Sequence, residues 1–350
     1  DLHLSLRRQR QMCIRDSGGS TARGYKNGFN IRTECALCIH ERCLCCRKRV
    51  IVHAFLKCKQ YHRLTHQFAR LTLSASGMEF MVDSGDQVCQ AHGYLYSSLF
   101  DQYEFHPPEN WLQFEQRRLP HDATLDTDET LQPCVTFDIH LESLFKVLQV
   151  FLFRKKSPGN EDTVMIMDFP HLGGPMGLRM SQGTWDMSFH LRTYDAPFKH
   201  EMDFDSAHTA AQVIVDSQQL CPLLNEIYKN GEKAMRMEFY PAASRAQGDF
   251  LFCTENSHGT TEIVFPNKDA VTEKYMCDEP VVQSYALKGI EHMLAALTVS
   301  DKTSIRIDEV GMLSVQFKLP LVCRQDVDAS QFHWHHGFIE FLCCPLVAST

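Results

Sequence analysis

No stretch of this 350-residue chain is apolar for long enough to span a bilayer. The most apolar run, Leu144 to Phe153, falls well short of the ~20 residues a spanning helix needs and stops at Arg154, Lys155 and Lys156. A glycine-rich phosphate loop, a nucleophile motif and a local cluster of metal-binding carboxylates are also missing. Nothing in the linear sequence therefore points to nucleotide hydrolysis, covalent catalysis or two-metal chemistry. Basic charge is scarce as well. Residues 1–50 hold 11 Lys or Arg against 4 Asp or Glu, a surplus of seven, so the chain total of −8 leaves −15 for residues 51–350. A body this acidic lacks the broad basic surface of a generic nucleic-acid binder, and any contact with DNA has to be local.

Cysteine, by contrast, is plentiful, at 15 residues. No secretory leader is expected, and Cys58, Cys89, Cys134, Cys221, Cys253 and Cys323 sit inside apolar segments. Free, buried thiols in a reducing compartment, cytosolic or nuclear, are the expectation. Cys35 and Cys38 have the spacing of half a zinc site, yet Cys43, Cys45 and Cys46 are too cramped for the other half, so neither metal nor cofactor is expected.

The clearest structural signal is Lys302 to Phe317, KTSIRIDEVGMLSVQF. Ile305 and Ile307 alternate with Arg306 and Asp308, and Leu313, Val315 and Phe317 alternate with Ser314 and Gln316. A period of two is what a sheet with one buried face requires, and the polar residues are expected on its solvent side. Gly311 suits a turn with positive φ, which makes the segment a β-hairpin. Just upstream, Leu287, Ile290, Met293, Leu294 and Leu297 form one apolar stripe at helical spacing. The unit is a helix laid on a hairpin.

That unit recurs. Ala54 to Leu64 reads as a helix, followed by Leu71 and Leu73, Gly77, then Met78, Phe80 and Val82, which reproduces the spacing of Ile305, Ile307 and Gly311 with the second strand one residue out of phase. A second copy has strand Val135 to Ile139, helix Leu141 to Phe153, and strands Val164 to Asp168, Gly177 to Met180 and Asp186 to Arg192. The third has strand Gln212 to Val215, helix Ser217 to Asn230, and strands Met235 to Phe239, Phe250 to Thr254 and Thr261 to Phe265. The fourth is the opening unit, led by Val281 and Val282 and closed by Phe338 to Cys343. Four units in two similar domains imply an α+β protein. The domains are assigned to 51–195, with a long surface loop at 106–133, and to 207–347, joined by a connector at 196–206. Residues 18–50 are a Cys-rich segment outside them. Residues 7–17, RRQRQMCIRDS, resemble the translation of a transposase sequencing adapter, so 1–17 are set aside as an artefact.

Four helix-on-hairpin units in two domains resemble the sliding DNA clamp, the PCNA-like fold. At residue level the similarity is to the Rad-one subunit family of the heterotrimeric nine-one-one checkpoint clamp. SIRIDEVGMLSVQF at 304–317 is similar to that family's last hairpin, FIEFLCCP at 338–345 to its terminal strand, and MDFD at 202–205 to its connector. The resemblance runs from about Phe55 to Pro345. Two departures stand out: the strand before the first helix is missing or supplied by residues 31–50, and the loop at 106–133 is long.

The resemblance implies a ring of three subunits whose helices line the hole and whose sheets form the outer wall. The helix faces turned away from the core should then carry weak phosphate contacts, with Lys57, Lys59 and Arg63 on the first helix, Lys146 on the second, Lys229 and Lys233 on the third and Lys288 on the fourth. A lone exposed lysine is ordinarily just solvated, and Glu226, Glu232 and Glu291 dilute the set. Sheet edges at Asp186, Ser188, His190 and Arg192, and at Thr261, Ile263 and Phe265, should pair with neighbouring subunits. Phe198, Met202 and Phe204 of the connector should line or cover a surface that receives client peptides.

Relatives have been described as 3′–5′ exonucleases, but Asp83, Asp168, Asp203, Asp205 and Asp308 are scattered over different units, and His333, His335 and His336 around Trp334 suit an exposed hairpin tip. No catalysis is expected. The reading is a nuclear subunit of a DNA-damage checkpoint clamp. Its expected partners are two other clamp subunits, an ATP-dependent loader, double-stranded DNA, and checkpoint and repair proteins, with no membrane. The alternatives are a homotrimeric replicative clamp and an exonuclease.

Overall fold

The structure, a computed structural model, describes residues 35–39, 68–84, 87–100, 102–107, 111, 133–153, 163–182, 185–196, 201–231, 233–241, 249–266, 272–321 and 335–346. The adapter-like run, the first helix with Lys57, Lys59 and Arg63, Phe198, most of the 106–133 loop, and His333 with Trp334 lie outside these residues.

Unit one contributes β1 (Cys35–Ile39), β2 (Phe68–Ser74), β3 (Gly77–Asp83) and β4 (Cys89–Tyr96). Unit two runs β5 (Cys134–His140), α1 (Leu141–Phe153), β6 (Thr163–Asp168), β7 (Met176–Gln182) and β8 (Trp185–Leu191), ending in the two-residue β9 (Thr193–Tyr194). Unit three is β10 (Thr209–Asp216), α2 (Ser217–Asn230), β11 (Ala234–Phe239), β12 (Asp249–Asn256) and β13 (Gly259–Pro266), followed by β14 (Thr272–Cys277). Unit four is β15 (Val281–Ala286), α3 (Leu287–Leu297), β16 (Lys302–Asp308), β17 (Leu313–Leu321) and β18 (His335–Cys343). Both α1 and α2 have the bounds expected from apolar spacing. In α2 that spacing buries Leu220, Leu224 and Ile227, while the Asp216 carboxylate accepts from the Gln218 N–H and caps the start.

One pairing rule organises both domains. The lead strand of each unit pairs antiparallel with the first strand after the helix of the other unit: β1 with β6, β5 with β2, β10 with β16 and β15 with β11. The lead strand of the first unit is therefore Cys35–Ile39, within the Cys-rich segment. Two four-stranded sheets result, β1-β6-β7-β8 and β13-β12-β11-β15. Between them a single ten-stranded sheet, β14-β10-β16-β17-β18-β4-β3-β2-β5-β9, crosses the domain boundary through β18 and β4, in register from Phe338↔Tyr94 to Cys343↔Cys89. Each domain has its own core: Leu71, Phe137, Ile139 and Leu178 are central to the first, and Phe239, Phe250, Tyr285, Ile305 and Phe317 to the second. No helix among the described residues is long and apolar enough to cross a membrane.

The two matching hairpins differ in phase because their turns differ. β2 and β3 pair as far as Ser74↔Gly77 across two residues, whereas β16 and β17 stop pairing at Ile307↔Leu313 and cross by a longer loop. The Asp308 carboxylate ties that loop down by accepting from the Val310 and Met312 N–H groups. Both glycines do have positive φ, 140° at Gly77 and 86° at Gly311.

One expectation fails. Ser304, Arg306, Asp308, Ser314 and Gln316 do not face solvent: all five are buried, because this part of the sheet is covered on both faces. Strands β4, β9 and β14 also escaped the periodicity. Gly93 interrupts β4, β9 is too short to show a period, and β14 is a largely polar strand.

At Gly77 a Cβ would lie 2.1 Å from the Leu95 carbonyl oxygen, whereas at Gly259, with φ 152°, it meets nothing within 4 Å. Gly77→Ala is expected to cost about 3 kcal/mol or more in urea unfolding, since overlap adds to backbone strain, and Gly259→Ala about 1 kcal/mol from strain alone.

Candidate functional site

The buried polar row lies on the face of the ten-stranded sheet opposite the second domain's core, and the connector lies across it. Residues 201–205 alternate, with Met202 and Phe204 partly buried and Glu201, Asp203 and Asp205 exposed. The Phe204 ring lies 4.6 Å from the Arg306 guanidinium carbon, a cation–π contact. The Met202 N–H donates to Gln90 Oε1 at 2.9 Å, and the Asp205 N–H reaches Asp308 Oδ2 at 3.4 Å.

Arg306 is held from below. Its Nη2 donates to Ser314 Oγ at 2.7 Å and to Glu340 Oε1 at 2.8 Å, and the Ser314 hydroxyl donates to the same carboxylate oxygen at 2.7 Å. Burial pulls the Arg306 pKa down and Glu340 pushes it back, so the guanidinium keeps its charge. Across the domain seam, His92 Nδ1 lies 3.1 Å from Glu79 Oε1 and its Nε2 lies 2.9 Å from Gln90 Oε1, while Gln90 Nε2 donates to Asp83 Oδ1 at 2.6 Å. Residues from β3, β4, β16, β17 and β18 thus converge under one short segment. Arg306 Nε and Gln316 Oε1 are buried there without a hydrogen-bond partner among the described residues.

Where the connector turns into β10, Asp205 and His208 pair at 2.6 Å, and the Ala207 N–H donates to Asp205 Oδ1. The hydrogen bond with His208 lowers the Asp205 pKa and raises that of His208. Asp308 moves the other way, its carboxyl pushed up by burial. Sequence spacing alone had kept Asp205 and Asp308 apart, and the docked connector brings them together. Asp308 spends its oxygens on main-chain N–H groups, however, and Asp205 spends its own on His208 and Ala207. Asp168 lies on another sheet, 3.7 Å from Arg179. Among the described residues no three His, Cys, Asp or Glu groups converge as a metal site would require.

The helix lysines are less uniformly basic than a phosphate-binding row suggests. Lys146 pairs with Glu142 and Lys229 with Glu226, each at 2.9 Å and exposed. Lys288 is exposed on α3, and Lys233 stands beyond the end of α2, one residue before β11. The expected edge residues fall on terminal strands. Asp186, Ser188 and His190 are exposed on β8, the last strand of its sheet, and Arg192 follows in the link to β9. Thr261 and Ile263 are half-buried and Phe265 buried on β13, the end of the other four-stranded sheet.

A family model described as repair protein Rad1/Rec1/Rad17 matches residues 52–319. The chain belongs to this family. Among Rad1 relatives, the mouse cell cycle checkpoint protein RAD1 is 26% identical over 211 residues, covering 60% of this chain and 69% of its own length. The DNA repair exonuclease REC1 of Mycosarcoma maydis is 26% identical over 225 residues, 54% of this chain and 49% of its own. The fold of this Rad1 family member is similar to that of proliferating cellular nuclear antigen from Entamoeba histolytica, with TM-score 0.60 at 12% identity over 91% of this chain and all of that one. It is the α+β sliding-clamp fold.

Removing Arg306 strands the largely buried Glu340 carboxylate. Arg306→Ala is expected to cost about 3 kcal/mol in urea unfolding, and Arg306→Met with Glu340→Leu to recover most of it, because the charge and its partner leave together.

Proposed function

We propose that the chain is one subunit of a heterotrimeric DNA-damage checkpoint clamp, a nuclear protein that encircles DNA and acts as a platform for checkpoint and repair proteins. The observation that carries this reading is the treatment of the sheet edges. β9 is two residues long, β14 is charged at Glu273 and Lys274, with Lys302 3.7 Å from Glu273, and β15 is covered where the Leu346 N–H donates to the Ser284 carbonyl. These are the usual ways of blunting an edge. β1, the remaining terminal strand, has five residues, whereas β8 and β13, seven and eight residues long, carry one acidic residue each, Asp186 and Glu262, and no lysine, and one lies in each domain. A chain with a long edge strand in each domain can join head to tail, and a closed ring of such chains pairs these long edges with one another.

In that ring DNA is retained by topology, and the helices need supply only weak contacts. Exposed ion pairs such as Lys146 with Glu142 are worth little and exchange readily for a phosphate, so Lys146, Lys229, Lys233 and Lys288, with Lys57, Lys59 and Arg63 of the expected first helix, suit a lining that slides. Opening such a ring requires an ATP-driven loader. Client peptides would dock where the connector lies. Met202 and Phe204 are partly buried on the described part of the connector, Phe198 is expected to extend that apolar side, and the unpaired donor of Arg306 and acceptor of Gln316 are what a peptide backbone satisfies.

A homotrimeric clamp would use the same edges. The name of REC1 keeps a nuclease reading in view, but Asp168 and Asp308 lie on separate sheets and Asp308 is engaged as a loop tie, so the proposed role is non-catalytic.

Co-expression with the other two checkpoint-clamp subunits, followed by native mass spectrometry, is expected to give a 1:1:1 complex, while the lone chain aggregates or stays monomeric. A stable homotrimer of the lone chain would contradict the heterotrimer.

A further inference from the structure

Along β8 the core-facing positions are Trp185, Met187, Phe189 and Leu191. Leu191 is 8% exposed, Phe189 packs on the core of the first domain, Met187 is half-buried, and Trp185 is 65% exposed. The row thus begins inside the domain and runs out of it. Trp185 stands at the corner of the β7–β8 hairpin, opposite Gln182. Single exposed valines or leucines are ordinary on a protein surface. A tryptophan that continues a core row along an open strand is different, because its ring carries on the order of 200 Å² of apolar surface that water hydrates poorly.

The open backbone edge of β8 selects what can cover this row. Its outward N–H and C=O groups are satisfied by a strand, and a strand added there sets its own core-facing side chains beside Met187 and Trp185. Any helix packed beneath that strand then closes over the indole. This chain contains one example of such an element: β13, an edge strand whose Ile263 and Phe265 pack on the core that α2 helps to form. In β13 those side chains already fill the space beneath the strand, Phe265 being buried.

We infer that Trp185 is the anchor of one subunit interface, seated in an apolar recess between the edge strand and the underlying helix of a different clamp subunit. This rests on the ring reading above and adds to it a single residue that selects the partner. Aromatic residues that fill a recess at the centre of an interface carry a disproportionate share of its affinity.

The test uses the full chain with Trp111→Phe and Trp334→Phe, so that Trp185 is the only indole reporting. On mixing with each partner subunit in turn, the emission of Trp185 should shift to the blue and become protected from iodide with one partner and not the other. In the otherwise native chain, Trp185→Ala should weaken that pairing about 30-fold and Trp185→Phe several-fold less, with thermal unfolding of the lone chain unchanged. A three-subunit complex that forms with Trp185 still quenchable, or with Trp185→Ala binding at full affinity, overturns the anchor and leaves the ring intact. A blue shift that tracks the formation of discrete soluble dimers of the chain, with no partner present, also overturns it, since the occupant would then be a second copy. Failure of the native chain to assemble with either partner overturns the ring reading and the anchor together.

Discussion

The ladder between β18 and β4 is the constraint on which the rest of the molecule depends. Six residue pairs, from Phe338↔Tyr94 to Cys343↔Cys89, turn two domains into one continuous sheet. Without it the domains would be two beads on a connector, free to reorient as weakly packed domains do. With it, the terminal strands β8 and β13 belong to one continuous framework, as the proposed ring requires. Close packing at the seam reinforces the ladder: a Cβ on Gly289 of α3 would come within 3.2 Å of the Cys343 sulfur and 3.8 Å of Cys89 Cβ. The helix has no side chain at the point where the two domains meet beneath it.

The same ladder creates the polar face on which the connector docks. Glu340 of β18 reaches Arg306 on β16, and Gln90 of β4 receives the Met202 N–H, so the connector is bound by residues of both domains. Burying a guanidinium and a carboxylate contributes little net stability compared with apolar residues of the same shape. What this network provides is position: Phe204 sits over Arg306, and Asp205 lies against Asp308 at the hairpin turn. A segment held by a few directional contacts, with acidic residues turned outward, is well placed to exchange with an incoming peptide.

Much of the fold was legible in the sequence. Helices α1 and α2, the four-unit repeat and the glycine turns at Gly77 and Gly311 follow from local periodicity and from backbone conformations that only certain residues adopt, and these act over a few residues. Alternation identified the inner face of β16 and β17 correctly and misread the outer one. A period of two separates the faces of a strand, but it does not say whether the polar face is wet or covered by a segment a hundred residues away. Arg306 and Asp308 are therefore the residues whose roles sequence pattern could not supply. The approach of Asp205 to Asp308 was hidden for the same reason. Lys233 was assigned to the third helix although the expected helix already ended at Asn230, and the structure places it beyond that end. The lead strand at Cys35–Ile39 was obscured by its flanks and becomes evident only through its pairing with β6.

These features fit the proposed role of closing a path around DNA. The most direct measurement is retention of the assembled and loaded ring on circular plasmid, followed through a high-salt wash and then through linearisation of the plasmid. Encirclement predicts that the ring survives the salt and leaves only when the DNA acquires an end. Release by salt from intact circles, or retention on linear DNA with free ends, would contradict it.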